Sequence, residues 1–256
     1  MFYTYYREFL TQNYAMNRGG GKKPVWEWIK DRQLTACPAF VGNKYNESAL
    51  RLMVVGRAVN GWDVDADRCV SLESALDVIL QQKDRFEDVV KEEGIPYVDP
   101  QTNEAKIYHY STSRFWRLIQ YILEEAGEGR DYNQRIVWSN LYKVAPYVTG
   151  NPAWRLVKPN MQTYIDCLLE EIRTYKPTHI LFITGMDYLN PWKKEPQFGA
   201  QLGVGSNNQV RFTDRPYESG VFEGAKIVAC GRPEGKSYEA IRTMAKEILQ
   251  EFENLK

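Results

Sequence analysis

The stretch LLEEIRTYKPTHILFITG, residues 168–185, joins a helical pattern to a short and continuously apolar run. The run HILFIT, residues 179–184, has the length of a strand and stops at Gly185. A continuous apolar run of this length is typical of a parallel strand that is buried on both faces. We therefore predict that residues 179–184 form an interior strand of a parallel sheet.

Three more runs of this kind are spaced along the chain, with helical patterns between them. The runs are LRLMVV (50–55), IVW (136–138) and KIVAC (226–230), and the helical patterns cover 71–93, 112–125, 160–175 and 237–255. Alternating strands and helices predict an α/β fold, here a three-layer sandwich whose central parallel sheet has about four strands.

The first fifty residues have a different pattern. A helical pattern covers residues 2–17, the glycine-rich loop RGGGKK (18–23) ends it, and Pro24 opens a second, short helix. Residues 37–48 have no regular pattern. We predict that residues 1–49 form an N-terminal helical extension packed on an α/β domain of residues 50–256.

Composition excludes several classes of protein. Of 256 residues, 43% are hydrophobic and 26% are charged, with 33 basic and 33 acidic side chains, so neither a disordered chain nor a globally basic nucleic-acid coat is expected. No apolar run reaches the roughly 18 residues of a membrane span, and the N-terminal residues do not resemble a signal peptide. The four cysteines form no CxxC pair. We expect a cytoplasmic protein without a metal site, a cofactor or a membrane partner.

In open parallel sheets, ligands bind beyond the carboxyl ends of the strands. This rule selects four loops, at residues 56–67, 139–152, 185–192 and 231–237. The last one, GRPEGKS (231–237), has one residue too few between its glycines for a phosphate-binding P-loop, and Pro233 lacks an N–H group. An anion between Arg232 and Lys236 remains physically reasonable, so a protein that binds a nucleotide phosphate through this loop is one alternative. The candidate phosphate- or DNA-binding residues are Arg232, Gly235, Lys236 and Ser237.

Five segments in order resemble the uracil-DNA glycosylase superfamily, especially its mismatch-specific branch. They are LRLMVVGRAVNGW (50–62), SRFWRLIQYILEEAG (113–127), IVWSNLYKVAP (136–146), LLEEIRTYKPTHILFITG (168–185) and KIVACGRPEGKS (226–237). The resemblance implies a uracil-DNA glycosylase-like fold and an enzyme that holds an extruded nucleobase and hydrolyses its N-glycosidic bond. It also implies that the partner is DNA, single-stranded nucleic acid or a free nucleobase or nucleotide.

The chain departs from this family at the positions where the family has its catalytic residues. Where the family has an Asp or Asn that positions water, an ungapped comparison places Ala58, and a loop one residue longer places Asn60. Asp63 is a further candidate base. Arg232 replaces the family's His or Asn and is assigned to the leaving base, and Lys236 replaces the usual Leu wedge.

The resemblance also implies which residues line the base pocket. Asn140 would read the base edge, since a side-chain amide offers both a donor and an acceptor. The other candidate base-binding residues are Gly56, Arg57, Trp62 and Phe115. For the two aromatic residues, a place in the core is the competing interpretation, and for Asn140 it is a turn. Ala58 and Arg232 also favour a second hypothesis, a module that binds a nucleobase or nucleic acid without cleaving it.

Overall fold

The computed structural model describes residues 4–16, 20–59, 65–81, 95–98, 102, 104–129, 131–147, 150–185 and 217–255. The chain divides into two compact units. The first unit comprises Met1–Phe40, Arg57–Ile107 and Ser139–Thr174, and the second comprises Val41–Gly56, Tyr108–Trp138 and Tyr175–Lys256. The predicted division between residues 49 and 50 stays a prediction.

The strands and helices alternate along most of the chain. The strands are β1 (Asn13–Tyr14), β2 (Lys23–Pro24), β3 (Leu34–Ala36), β4 (Phe40–Val41), β5 (Leu52–Gly56), β6 (Ile95–Val98), β7 (Ala105–Tyr108), β8 (Val137–Asn140), β9 (Val144–Pro146), β10 (His179–Phe182), β11 (Tyr217–Phe222) and β12 (Ala225–Cys230). The helices are α1 (Thr4–Thr11), α2 (Val25–Lys30), α3 (Leu72–Gln81), α4 (Arg114–Glu125), α5 (Tyr132–Arg135), α6 (Trp154–Val157), α7 (Met161–Tyr175) and α8 (Tyr238–Asn254).

The main sheet is six-stranded, mostly parallel and flanked by helices, with the order β11-β12-β10-β5-β8-β4. Strand β10 lies between β12 and β5 and is parallel to both, with His179 opposite Lys226 on one side and Leu52 on the other. All residues of β5 and β8 are buried. The prediction of an α/β fold is therefore confirmed, with strands at all four predicted places and a parallel arrangement of β5, β10 and β12.

The two edge strands extend the sheet beyond the predicted four. Strand β11 pairs antiparallel with β12, and Tyr217 lies opposite Cys230. Its side chains alternate between buried and partly exposed, as expected of a strand with only one covered face. Strand β4 is two residues long, within the segment predicted to be irregular, and is too short to produce a periodic signal.

The helices start and end close to the predicted positions. Helix α8 begins after Ser237, whose hydroxyl oxygen accepts a hydrogen bond from the Ala240 N–H at 3.2 Å and so caps the helix. Helix α1 ends at Thr11, earlier than predicted, because Asn13 and Tyr14 pair with Pro24 and Lys23 in a small antiparallel ladder. For α3, residues 82–93 of the predicted helix lie outside the described residues.

The backbone approaches Gly42 very closely in the second unit. The Gly42 N–H donates to the Ile136 carbonyl oxygen at 2.9 Å, and an added Cβ would overlap the Gln134 carbonyl group and lie 2.6 Å from the Asn133 oxygen. Because the obstacle is backbone, we expect Gly42→Ala to lower the free energy of unfolding by roughly 1–3 kcal/mol. Urea denaturation measures this loss. Gly21→Ala is the matched control, since nothing lies within 4 Å of its added Cβ. Equal stability of the two variants would contradict the prediction.

Candidate functional site

In the second unit, the neighbouring strands β5, β10 and β12 have their carboxyl ends side by side, and we call this side of the sheet its carboxyl edge. The Ile183 N–H donates to the Val55 carbonyl oxygen at 2.9 Å, and the Gly185 N–H donates to the Cys230 carbonyl oxygen at 3.3 Å. The backbone just beyond β10 is thus held against the ends of both β5 and β12. Gly56 is the last residue of β5 at this edge, and it is buried.

The strand order reverses between β5 and β10. From β5 the chain proceeds to β8 on one side, and it then returns to β10 on the other side and continues to β12. Such a reversal opens a crevice at the carboxyl ends of the two strands, and ligands of open α/β sheets bind there. Gly56 and the residues that follow β10 therefore occupy the position at which this sheet type binds ligands.

The loop after β5 belongs partly to the first unit. There the carbonyl oxygen of Arg57 accepts a hydrogen bond from the Tyr142 N–H at 2.8 Å, which ties it to the segment that follows β8. The candidates Asn60, Trp62 and Asp63 lie outside the described residues. Their assignment as water-orienting or base-binding residues stays a prediction.

The loop GRPEGKS, residues 231–237, folds into a turn of its own. The Arg232 guanidinium forms an ion pair with Glu234, and both side chains are more than two-fifths exposed. The Lys236 N–H donates to the Pro233 carbonyl oxygen at 3.2 Å, and Gly235 has a φ of 78°, which favours glycine. The Lys236 N–H is thus bonded within the turn, whereas a P-loop directs such backbone N–H groups toward a phosphate.

In the first unit, a fully buried ion pair lies just beyond the end of β8. The Lys143 ammonium lies 2.6 Å from Glu171 Oε2 on α7 and donates to Ser139 Oγ at 2.8 Å. The same carboxylate accepts the Ser139 hydroxyl proton at 2.6 Å and the Ala39 N–H at 3.1 Å. The two charged side chains are 0% and 4% exposed. The carboxylate therefore has three donors, as a charge removed from water requires.

Asn140, the predicted base reader, ends β8 beside this ion pair. Its side chain is buried, and its amide nitrogen donates to Cys37 Sγ at 3.5 Å. The Cys37 N–H in turn donates to the Lys143 carbonyl oxygen at 3.1 Å, and the Tyr6 hydroxyl donates to the Cys37 carbonyl oxygen at 2.5 Å. The contact with sulfur fixes the orientation of the amide, whose nitrogen carries a second hydrogen and whose oxygen is an acceptor.

Burial sets the protonation of the groups around this pair. It raises the pKa of the Cys37 thiol, although Lys143 acts in the opposite direction. Burial, followed by the negative charge of Glu171, raises the pKa of the Tyr6 hydroxyl. Both groups are therefore protonated at neutral pH. Cys37 acts as a hydrogen-bonding neighbour of Asn140 rather than as a nucleophile, because the thiolate is the reactive form.

Phe115 lies on α4, half-buried, within an aromatic cluster of the second unit. Its ring meets Trp116 edge-on at 5.0 Å between centroids, and Trp116 meets Trp138 in the same way, also at 5.0 Å. The ring is thus packed on the cluster while the residue stays partly exposed. Its role as a wall of a base pocket stays a prediction.

The sequence analysis did not select Lys143 and Glu171, although each stands among apolar residues, where a charged side chain is unusual. Glu171 lies on the apolar face of α7, one turn from Leu168 and beside Ile172, and Lys143 precedes the buried Val144. Charged residues at such positions are exceptional unless they are paired.

The structure therefore brings Asn140 together with Cys37, Ser139 and Lys143, and it places Gly56 at the end of β5, the neighbour of β10 in the sheet. No group of three or more His, Cys, Asp or Glu residues in the described part of the chain could hold a metal ion. Among the described helices, none is long and apolar enough to cross a membrane. No protein-family model matches this chain, and a search of the curated proteins finds no match either.

Proposed function

We propose that this chain recognises an extruded nucleobase at the carboxyl edge of its sheet and hydrolyses the N-glycosidic bond, as its resemblance to the uracil-DNA glycosylase superfamily implies. One observation carries the proposal. The strands β5, β10 and β12 lie at the segments that resemble the family, and the strand order reverses beside Gly56, which is where parallel sheets of this kind bind ligands. Extruding a base costs a few kcal/mol of unstacking, which contacts in that crevice must offset.

In this proposal each named side chain has one task. Asn140 reads the base edge through its side-chain amide, which is buried beside Cys37 in the first unit. Asn60 or Asp63 orients the attacking water, and Arg232 stabilises the negative charge that develops on the departing base.

A second candidate function is binding of a nucleobase or a nucleic-acid strand without cleavage. Two observations favour it. In the ungapped comparison Ala58 takes the place of the family's water-positioning residue, and the Arg232 guanidinium is already paired with Glu234. Incubation with oligonucleotides that contain uracil or a mismatch, followed by alkaline cleavage at abasic sites, separates the two candidates.

The base-reading role of Asn140 predicts a loss of discrimination in Asn140→Asp. The variant keeps the size of the side chain but replaces an N–H donor with an acceptor. We expect the preference for uracil-containing over normal oligonucleotides to fall on the order of 10-fold or more, with little change in affinity for the strand. Fluorescence anisotropy with the two labelled oligonucleotides measures both.

Asn160→Asp is the matched control for this variant. Asn160 is also buried in the first unit, and its amide nitrogen donates to the Leu156 carbonyl oxygen at 2.7 Å. A comparable loss of discrimination in the control would show that the effect comes from burying a carboxyl group, and would count against Asn140 as the base reader.

A further inference from the structure

Helices α4 and α8 of the second unit share a ladder of arginine and tyrosine side chains. The Arg114 Cζ lies 4.1 Å from the centroid of the Tyr238 ring, and the Arg117 Cζ lies 5.3 Å from it. Farther along the same interface, the Arg242 Cζ lies 4.2 Å from the centroid of Tyr121. The spacing along each helix places these side chains on one face.

One end of this ladder is electrically neutralised. Arg242 contacts Glu124 at 3.2 Å and Glu125 at 2.6 Å, and Lys246 lies 3.9 Å from Glu125. The charge of Arg242 is thus balanced within the protein.

The other end has cations without carboxylate partners among the described residues. Within the described ranges, Arg117 donates to two neutral acceptors, the Ser111 carbonyl oxygen at 2.6 Å and Gln120 Oε1 at 3.0 Å, and its buried Nε has no acceptor there. Arg114 contacts the Tyr238 ring, which is 44% exposed. Lys236 is exposed two residues before this ring. Glu234 in the preceding loop is paired with Arg232, and Glu239 lies in the first turn of α8, so at this end of the ladder the three cations Arg114, Arg117 and Lys236 are set against one carboxylate.

We propose that this patch, formed by Arg114, Arg117, Lys236 and Tyr238, binds the sugar–phosphate backbone of a nucleic-acid strand. A guanidinium that stacks on a ring keeps its N–H groups in its own plane, and this planar fork matches the oxygens of a phosphate. Stacking also restricts the side chain before the ligand arrives.

The position of the patch agrees with this ligand. Helix α8 begins at Tyr238, directly after the loop that follows β12, so the patch adjoins the carboxyl edge at which the base is proposed to bind. A strand held here would continue past the proposed crevice. The inference rests on the proposed function and names the polymer that carries the base.

The salt dependence of strand binding tests the proposal. For the full chain and a labelled single-stranded oligonucleotide of mixed sequence, the affinity is measured by fluorescence anisotropy at several NaCl concentrations. We expect Arg114→Gln/Arg117→Gln to bind several-fold more weakly and to reduce the slope of log affinity against log salt by about 1.4, which is about 0.7 for each lost phosphate contact.

Arg242→Gln is the matched control, because its charge is satisfied by Glu124 and Glu125 although it also stacks on a tyrosine. We expect it to leave the slope unchanged. The single variant Arg114→Gln provides the test if the double variant does not fold, since the side-chain contact of Arg114 within the described part of the chain is with the exposed Tyr238 ring. The salt slope of this variant should fall by about 0.7.

Three results would overturn the proposal: an unchanged slope in folded Arg114→Gln, an equal slope change in Arg242→Gln, or full displacement of the strand by millimolar inorganic phosphate. The last result would identify a site for a single phosphate. Failure of the proposed function is distinguished from failure of this inference by measuring base preference and salt slope separately. A strand that binds through this patch without any base preference supports this inference and contradicts base recognition, and a base preference with an unchanged slope does the reverse.

Discussion

Replacing Lys143 with methionine is expected to lower the free energy of unfolding by about 3–5 kcal/mol, which is the usual cost of breaking a buried ion pair from one side. The ammonium group lies 2.6 Å from Glu171 Oε2 and is fully buried. Its removal leaves a buried carboxylate with only the Ser139 hydroxyl and the Ala39 N–H as donors. Urea denaturation followed by circular dichroism measures the change.

The double variant Lys143→Met/Glu171→Leu is the control that separates charge from packing. Because it removes both charges, no carboxylate is left unpaired, and apolar replacements of a buried ion pair are often close to neutral. We expect the double variant to recover most of the stability lost in Lys143→Met. A double variant as unstable as the single one would show that the side chains act through their shape and not through their charges.

This ion pair connects stability to the candidate site. The Lys143 carbonyl oxygen accepts the Cys37 N–H, and Cys37 Sγ accepts the Asn140 amide. Ser139, the residue before Asn140, also bonds to both members of the ion pair, so the pair holds the backbone next to the residue proposed to read the base. Burying these two charges costs free energy of desolvation, but the pair also orients its neighbours. An apolar pair of similar size would not accept the hydrogen bonds that Glu171 accepts from Ser139 and Ala39.

The interior of the sheet could be predicted because its strands are continuously apolar. Residues 52–55 and 179–184 combine strand length with a following glycine, and both runs lie in the interior of the sheet. The two edge strands of the sheet could not be predicted in this way. Strand β11 has a single covered face and a polar Glu218, and β4 has only two residues, so neither gives the signal of a buried run.

The candidate site was predicted less completely than the fold. The rule that ligands bind beyond the carboxyl ends of parallel strands selected the loops that contain Asn140 and Gly56. In the structure Asn140 is the last residue of β8, and Gly56 is the last residue of β5. The buried pair was missed because charged residues are normally read as surface residues, and its partners are 28 positions apart in sequence. The Arg232–Glu234 pair involves neighbours in sequence, but only the folded turn brings the two side chains into contact.

Arg232→Ala is expected to lower the rate of N-glycosidic cleavage by roughly 10²-fold or more, if the chain is the hydrolase we propose, because the variant removes a donor to the departing base. Single-turnover cleavage of a uracil-containing oligonucleotide measures this rate.

Glu234→Gln is the informative companion of this variant, since it removes the carboxylate that now pairs with Arg232. If Arg232 acts on the leaving base, Glu234→Gln should raise the rate or leave it unchanged while Arg232→Ala lowers it. If the chain only binds nucleic acid, Arg232→Ala should instead reduce the salt slope of strand binding by about 0.7, with no cleavage in either variant. Wild-type cleavage and binding in folded Arg232→Ala would contradict both roles. The resemblance at this loop would then extend to the fold alone, because the one cation placed at the family's catalytic position would touch neither the base nor the backbone.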